Sequence, residues 1–117
     1  MTDLDFEHVQ AEDPDVAIVE LRGEIDLTNA SDLSELVDGL DSKSLVILDL
    51  NQVSFVDSAA LHALFRTARK RGRDRFAIVA DSASPVSTTF EIVQLGRAAP
   101  IVPAVADALA RARDAAR

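Results

Sequence analysis

Leu45-Val46-Ile47-Leu48-Asp49-Leu50 is a near-continuous apolar run of strand length. With no polar alternation, such a run fits a strand buried on both faces. A strand of that kind needs a layer packed on each side, so its neighbours decide the architecture.

On the N-terminal side, Leu4 to Gln10 alternates with a period of two, which predicts a half-exposed strand. Glu12-Asp13-Pro14-Asp15 reads as a turn. Val16 to Leu21 then forms a second strand, the hairpin partner of the first, ended by Gly23. Thr28 and Asn29 are N-cap candidates for a helix whose apolar positions are Ala30, Leu33, Leu36, Val37 and Leu40, with Gly39 near its end.

Beyond the central run, Asn51 to Val56 leads into a second helix carrying Leu61, Leu64, Phe65 and Ala68 on one face and ending near Gly72. Phe76 to Ala80 is a further buried strand. Ser84-Pro85 predicts a cap followed by proline at the first helical position. Val86, Phe90 and Val93 form the buried face of that third helix, and Gly96 is its expected stop. Ala99 to Val102 is a short last strand, and Pro103 opens a final helix with Val105, Leu109 and Ala112 on one face. The order β-β-α-β-α-β-α-β-α implies an α/β layer fold with a largely parallel sheet. No linker or repeat divides the chain, so residues 1–117 are expected to form one domain.

Composition narrows the function. There is no cysteine, which removes disulfides, thiol catalysis and cysteine-ligated zinc and fits a cytoplasmic protein. No apolar run approaches the roughly 20 residues of a membrane helix, and the acidic start does not resemble a signal peptide. The net charge of -8 argues against nucleic-acid binding. Charge is also uneven. Residues 1–41 hold 13 acids and one base, Arg22, whereas residues 66–75 hold six bases and one acid.

Asp57-Ser58 is the first candidate site. With Asp57 as N-cap, Val56 and Leu61 occupy the positions of a hydrophobic staple. Ser58 is then the first helical residue, with its hydroxyl outward at the positive end of the helix dipole, where a phosphate would be stabilised. An ordinary polar first turn would show the same pattern. Gly23-Glu24-Ile25-Asp26 forms an acidic loop at another strand end; a turn with two solvated carboxylates explains it equally. His8 and His62 share no ligand spacing, so no metal site is expected. The bases from Arg66 to Arg75 could bind phosphate or acidic protein, or simply complement a helix C-terminus. Ser82, Ser84, Ser87, Thr88 and Thr89 surround a helix start without the glycine-rich loop and lysine of a P-loop, and capping accounts for them.

Three stretches together resemble the STAS-domain family and its anti-sigma-factor antagonists. They are Gly23-Glu24-Ile25-Asp26-Leu27, Leu45 through Phe55 with its Leu48-Asp49-Leu50 core, and Asp57-Ser58-Ala59-Ala60-Leu61. The resemblance spans nearly the whole chain. It implies a mixed, mainly parallel sheet of about four to five strands, covered mainly on one side by about four helices. It places the family's phosphorylatable serine on Ser58 and its partner-binding surface on Asp57, Ser58, Ala59, Ala60, His62, Glu24 and Asp26. Where family members commonly read Asp-Ser-Ser-Gly-Leu, this chain has alanine at 59 and 60.

The function so implied is partner switching. The unphosphorylated protein binds an anti-sigma factor that is itself a serine kinase. Phosphorylation of Ser58 ends that binding, and a serine phosphatase restores it. No cofactor and no catalysis by the chain itself are expected. The alternative from the same family is a constitutive interaction subunit of a lipid-transport ATPase complex or a stress-signalling scaffold. A small hydrolase fits poorly, because neither histidine is placed by sequence to activate Ser58.

Overall fold

A computed structural model describes residues 4–115. The acidic start at residues 1–3 and the last two residues of the expected 1–117 domain lie outside that range. Five strands form one sheet in sequential order: β1 (Asp5–Val9), β2 (Val16–Ile25), β3 (Leu45–Val56), β4 (Phe76–Val79) and β5 (Ile101–Val102). The helices are α1 (Ala30–Asp38), α2 (Ser58–Arg71), α3 (Ser87–Ile92) and α4 (Val105–Ala115), with a 3-10 turn at Leu95–Arg97. β1 runs antiparallel to β2, and every other neighbouring pair is parallel. The expected mixed, mainly parallel α/β fold is the one observed.

Alternation along β3 explains the layering. Val46, Leu48 and Leu50 enter the main core, which they share with Leu33 and Val37 of α1, Leu64 and Ala68 of α2, and Phe90 of α3. Leu45 and Ile47 point to the other face, into a smaller core closed by Ala108 and flanked by Val105 and Leu109 of α4. Three helices thus cover one face and a single helix part of the other. Each fully buried side chain of this size contributes about 1.5–3 kcal/mol, so the main core dominates stability.

Several boundaries differ from the sequence reading. β2 does not stop at Gly23 but continues to Ile25, and β3 runs on beyond the apolar run, through Asn51 to Val56. The two extensions pair with each other: Arg22 with Gln52, Gly23 with Val53, Glu24 with Phe55 and Ile25 with Val56. The register shifts on either side of Gly23, whose φ of 79° is open to glycine at little cost. Glycine therefore bends this strand without ending it.

In the second half, α3 starts at Ser87 with Val86 in the cap position, two residues later than Ser84-Pro85 predicts. The Ser84 carbonyl accepts the Ser87 N–H in a turn, and the Ser84 hydroxyl is buried without a partner. Gln94, at φ 58°, makes the left-handed break after α3, while Gly96 lies inside the 3-10 turn. Pro103 stands in the bend before α4, which begins at Val105. β1 is exposed along its whole length, not half-exposed, because it is the edge strand and α4 makes its contacts with β3, β4 and β5.

Candidate functional site

Parallel pairing of β2 with β3 brings their C-terminal ends together, so the β2–α1 loop lies against the start of α2. The Asp57 N–H donates to the Ile25 carbonyl at 3.2 Å and fixes that junction. Asp57 is in extended conformation, as an N-cap requires, and its Oδ1 accepts the Ala60 N–H at 2.9 Å. Its other oxygen, Oδ2, accepts the Leu27 N–H at 3.0 Å. One carboxylate therefore caps α2 and holds the neighbouring loop.

The loop is held from within as well. Asn29 is buried, with Oδ1 accepting the Asp26 N–H at 2.9 Å and Nδ2 donating to the Glu24 carbonyl at 2.9 Å. It occupies the cap position of α1 but does not cap it with its side chain. Asp26 Oδ1 accepts both the Thr28 hydroxyl at 2.6 Å and the Thr28 N–H at 2.9 Å. Those bonds, the hydroxyl first, hold the Asp26 carboxyl below its ordinary pKa and outweigh the opposing effect of burial.

Ser58 is exposed as the first residue of α2. The N–H groups of Ser58 and Ala59 precede the first intrahelical bond, so the positive end of the helix faces the serine. His62, one turn further, is also exposed and shares that helix face. Ala59 is half-buried. Ala60 is different: it is fully buried in the main core, so its methyl group packs inward and contributes no surface. As a surface residue for a partner, Ala60 is thus corrected to a core residue whose N–H serves the Asp57 cap. Val56 and Leu61 both join the same core, as the staple positions require.

Asp26 reaches the site through the β2–α1 loop, and Glu24 from the end of β2, where it pairs directly with Phe55. Sequence reading missed two members. Leu27 is 79% exposed and Phe55 49%, so both present apolar surface beside Asp57-Ser58. Their signal was a large apolar residue that fits neither strand alternation nor helical spacing. Asn29 was missed as the loop's internal tie because its position matched a cap.

The basic cluster is not one surface. Arg71 is buried, donating from Nε to the Arg75 carbonyl at 3.0 Å and from Nη2 to the Lys43 carbonyl at 2.8 Å. Burial lowers its pKa, as does Arg75, and Asp41 opposes them. Lys70 pairs with Asp38 at 3.0 Å, and Arg66 reaches Ser34 at 3.5 Å. Arg69 and Arg73 face elsewhere. Among the described residues, no three His, Asp or Glu side chains are grouped as metal ligands would be, and no helix is long and apolar enough to cross a membrane.

Ser58 thus stands exposed at a helix start, beside an acidic loop at the carboxyl edge of a mainly parallel sheet. The chain belongs to the STAS-domain family: the STAS domain model matches residues 8–108. Its solved structural neighbours include anti-sigma factor antagonists. One, from Mycobacterium paratuberculosis, is 27% identical, with a TM-score of 0.79 over 93% of this chain and 95% of that one. The anti-sigma factor antagonist SpoIIAA in its unphosphorylated form is 18% identical, with a TM-score of 0.67 over 93% of this chain and 98% of that one. The Bacillus cell fate determinant SpoIIAA in its phosphorylated form is 17% identical, with a TM-score of 0.62 over 92% of this chain and 98% of that one.

Proposed function

We propose that this protein is an anti-sigma-factor antagonist that regulates transcription by switching partners. Unphosphorylated, it binds an anti-sigma factor with serine kinase activity and so frees a sigma factor. That kinase transfers the γ-phosphoryl group of its ATP to the Ser58 hydroxyl, leaving ADP, and binding ends. A serine phosphatase hydrolyses the phosphoserine and resets the switch. The chain itself does no chemistry.

The observation that carries this reading is the division of labour between Asp57 and Ser58. Asp57 satisfies both the helix start and the loop, so Ser58 stays exposed and structurally unemployed. A serine in that position can be modified without dismantling the turn. The surrounding surface suits a partner: Leu27 and Phe55 supply apolar contact, and Glu24, Asp26 and His62 supply polar contact.

The same geometry accounts for release. A phosphate brings about 1.5 to 2 negative charges. In the free protein the helix start stabilises them by roughly 0.3–1 kcal/mol. In the complex they would be enclosed beside Glu24, Asp26 and Asp57, where opposed like charges cost several kcal/mol. SpoIIAA has a solved structure in each of its two phosphorylation states, and both share this fold.

The test is incubation with the cognate anti-sigma kinase and ATP, followed by mass spectrometry of peptides. The reading expects a single phosphate on Ser58 and none on the Ser58→Ala protein. A stable complex in which Ser58 is never modified would favour the constitutive-subunit alternative.

A further inference from the structure

A groove of about 440 Å³ opens between the last turns of α2 and the 3-10 turn after α3. Phe65, Ala68, Val93 and Ala98 supply its apolar lining, with Gln94 among them. Its rim carries three arginines from three different elements: Arg69 from α2, Arg73 from the α2–β4 connection and Arg97 from the 3-10 turn. We propose that this groove is a second docking site, and that its occupant is an acidic segment of a partner protein bearing apolar side chains among its carboxylates.

Charge is the first argument. The chain carries -8 overall, yet none of these three arginines has a carboxylate within 4.0 Å among the described residues. Arg22, Lys70 and Arg71 all do. Two of the three are held by neutral groups instead. The Arg73 Nη1 donates to the Gly96 carbonyl at 2.8 Å and the Arg97 carbonyl at 3.1 Å. Arg69 lies over the Phe65 ring, 5.4 Å from its centroid. These contacts position the guanidinium groups while leaving their charge uncompensated, which is preorganisation for an external anion.

The shape argues for a peptide over a small anion. The cations sit on three elements around an open groove whose lining also includes the apolar side chains of Phe65, Ala68, Val93 and Ala98. A free phosphate would leave those apolar side chains uncovered; an extended segment with alternating acidic and apolar side chains would cover them.

The groove is remote from Ser58. At about 1.5 Å per helical residue, Arg69 lies roughly 16 Å along α2 from the serine. Both surfaces can therefore be occupied together, and the inference stands independently of the function proposed for Ser58.

A dye-labelled glutamate-rich decapeptide with two central leucines is the probe, read by fluorescence anisotropy against the full chain. The expected result is saturable binding that weakens about tenfold in the Arg69→Glu/Arg97→Glu protein and again in about 0.5 M salt. The Arg97 contact to Arg73 is through its backbone, so the substitution leaves it in place. Binding should survive Arg66→Glu, a single charge reversal on the α1 side of α2, and Ser58→Asp. Chemical-shift mapping on the unaltered protein gives a check without substitution, with shifts confined to residues 65–73 and 92–98. Equal binding by the double variant, or by a lysine-rich decapeptide, would overturn the proposal. So would displacement of the peptide by equimolar inorganic phosphate, which would mark a small-anion site. Self-association that the double variant abolishes would also overturn it, because the occupant would then be a second copy of the chain.

Discussion

Asp57 Oδ2 accepts the Leu27 N–H at 3.0 Å, which ties the start of α2 to the loop beside it through one carboxylate. The other oxygen caps the helix at Ala60. Replacing Asp57 by alanine removes both bonds and should cost about 1–2 kcal/mol. Asparagine separates them. It remains a good cap, but an amide offers only one accepting oxygen, so Asp57→Asn should fall between wild type and alanine. Urea midpoints for the three proteins measure the difference. Equal midpoints for alanine and wild type would mean that the carboxylate supports neither element.

Ser58→Ala should change stability by no more than about 0.5 kcal/mol, as exposed substitutions usually do. Among the described residues the hydroxyl makes no hydrogen bond, and Asp57 already holds the turn. Thermal or urea unfolding checks this, and a loss of several kcal/mol would make Ser58 a structural residue.

Leu27 is the apolar side chain most exposed beside the serine. Leu27→Ala should leave the urea midpoint near wild type and weaken binding to the anti-sigma partner by about 1–2 kcal/mol, as the loss of an interface anchor does. Unchanged affinity would place the contact surface elsewhere.

How much of this arrangement the sequence reveals depends on the kind of signal. Periodic apolar positions are read without tertiary knowledge, so the element order, the buried face of β3 and the Asp57 cap were all legible. Strand ends were not. Gly23 looks like a terminator, yet its positive φ only shifts the register, and the decision is made by a partner strand 30 residues away. Asn29 looks like a cap, and its real bonds close a loop whose shape depends on burial. The basic run from Arg66 to Arg75 looks like one patch because helix rotation and burial are invisible in a list of charges. Leu27 and Phe55 break the periodic pattern, so periodicity assigns neither of them a role in the site.

Asp26 gives a pH signature. Its bonds from Thr28 lower its pKa in the folded state below the ordinary aspartate range. A carboxyl depressed by folding contributes stability that is present above the unfolded pKa and is lost as pH falls through the folded value. Its effect therefore belongs to acid conditions and is absent as a change near neutrality. Carboxyl NMR titration should show Asp26 titrating below an ordinary aspartate, and Thr28→Val, which removes the hydroxyl bond, should move it back up.

Isothermal titration of the cognate anti-sigma kinase with wild-type, Ser58→Ala, Ser58→Asp and phosphorylated protein tests the switch most directly. Wild type and Ser58→Ala should bind alike. The phosphorylated protein should bind at least about 100-fold more weakly, the equivalent of roughly 2.8 kcal/mol. Ser58→Asp should fall between, because it carries one charge and lacks the bulk of a phosphate. Circular dichroism should remain the same for all four. Equal affinity for the phosphorylated and unmodified proteins would contradict the switch and leave a constitutive binding subunit in its place.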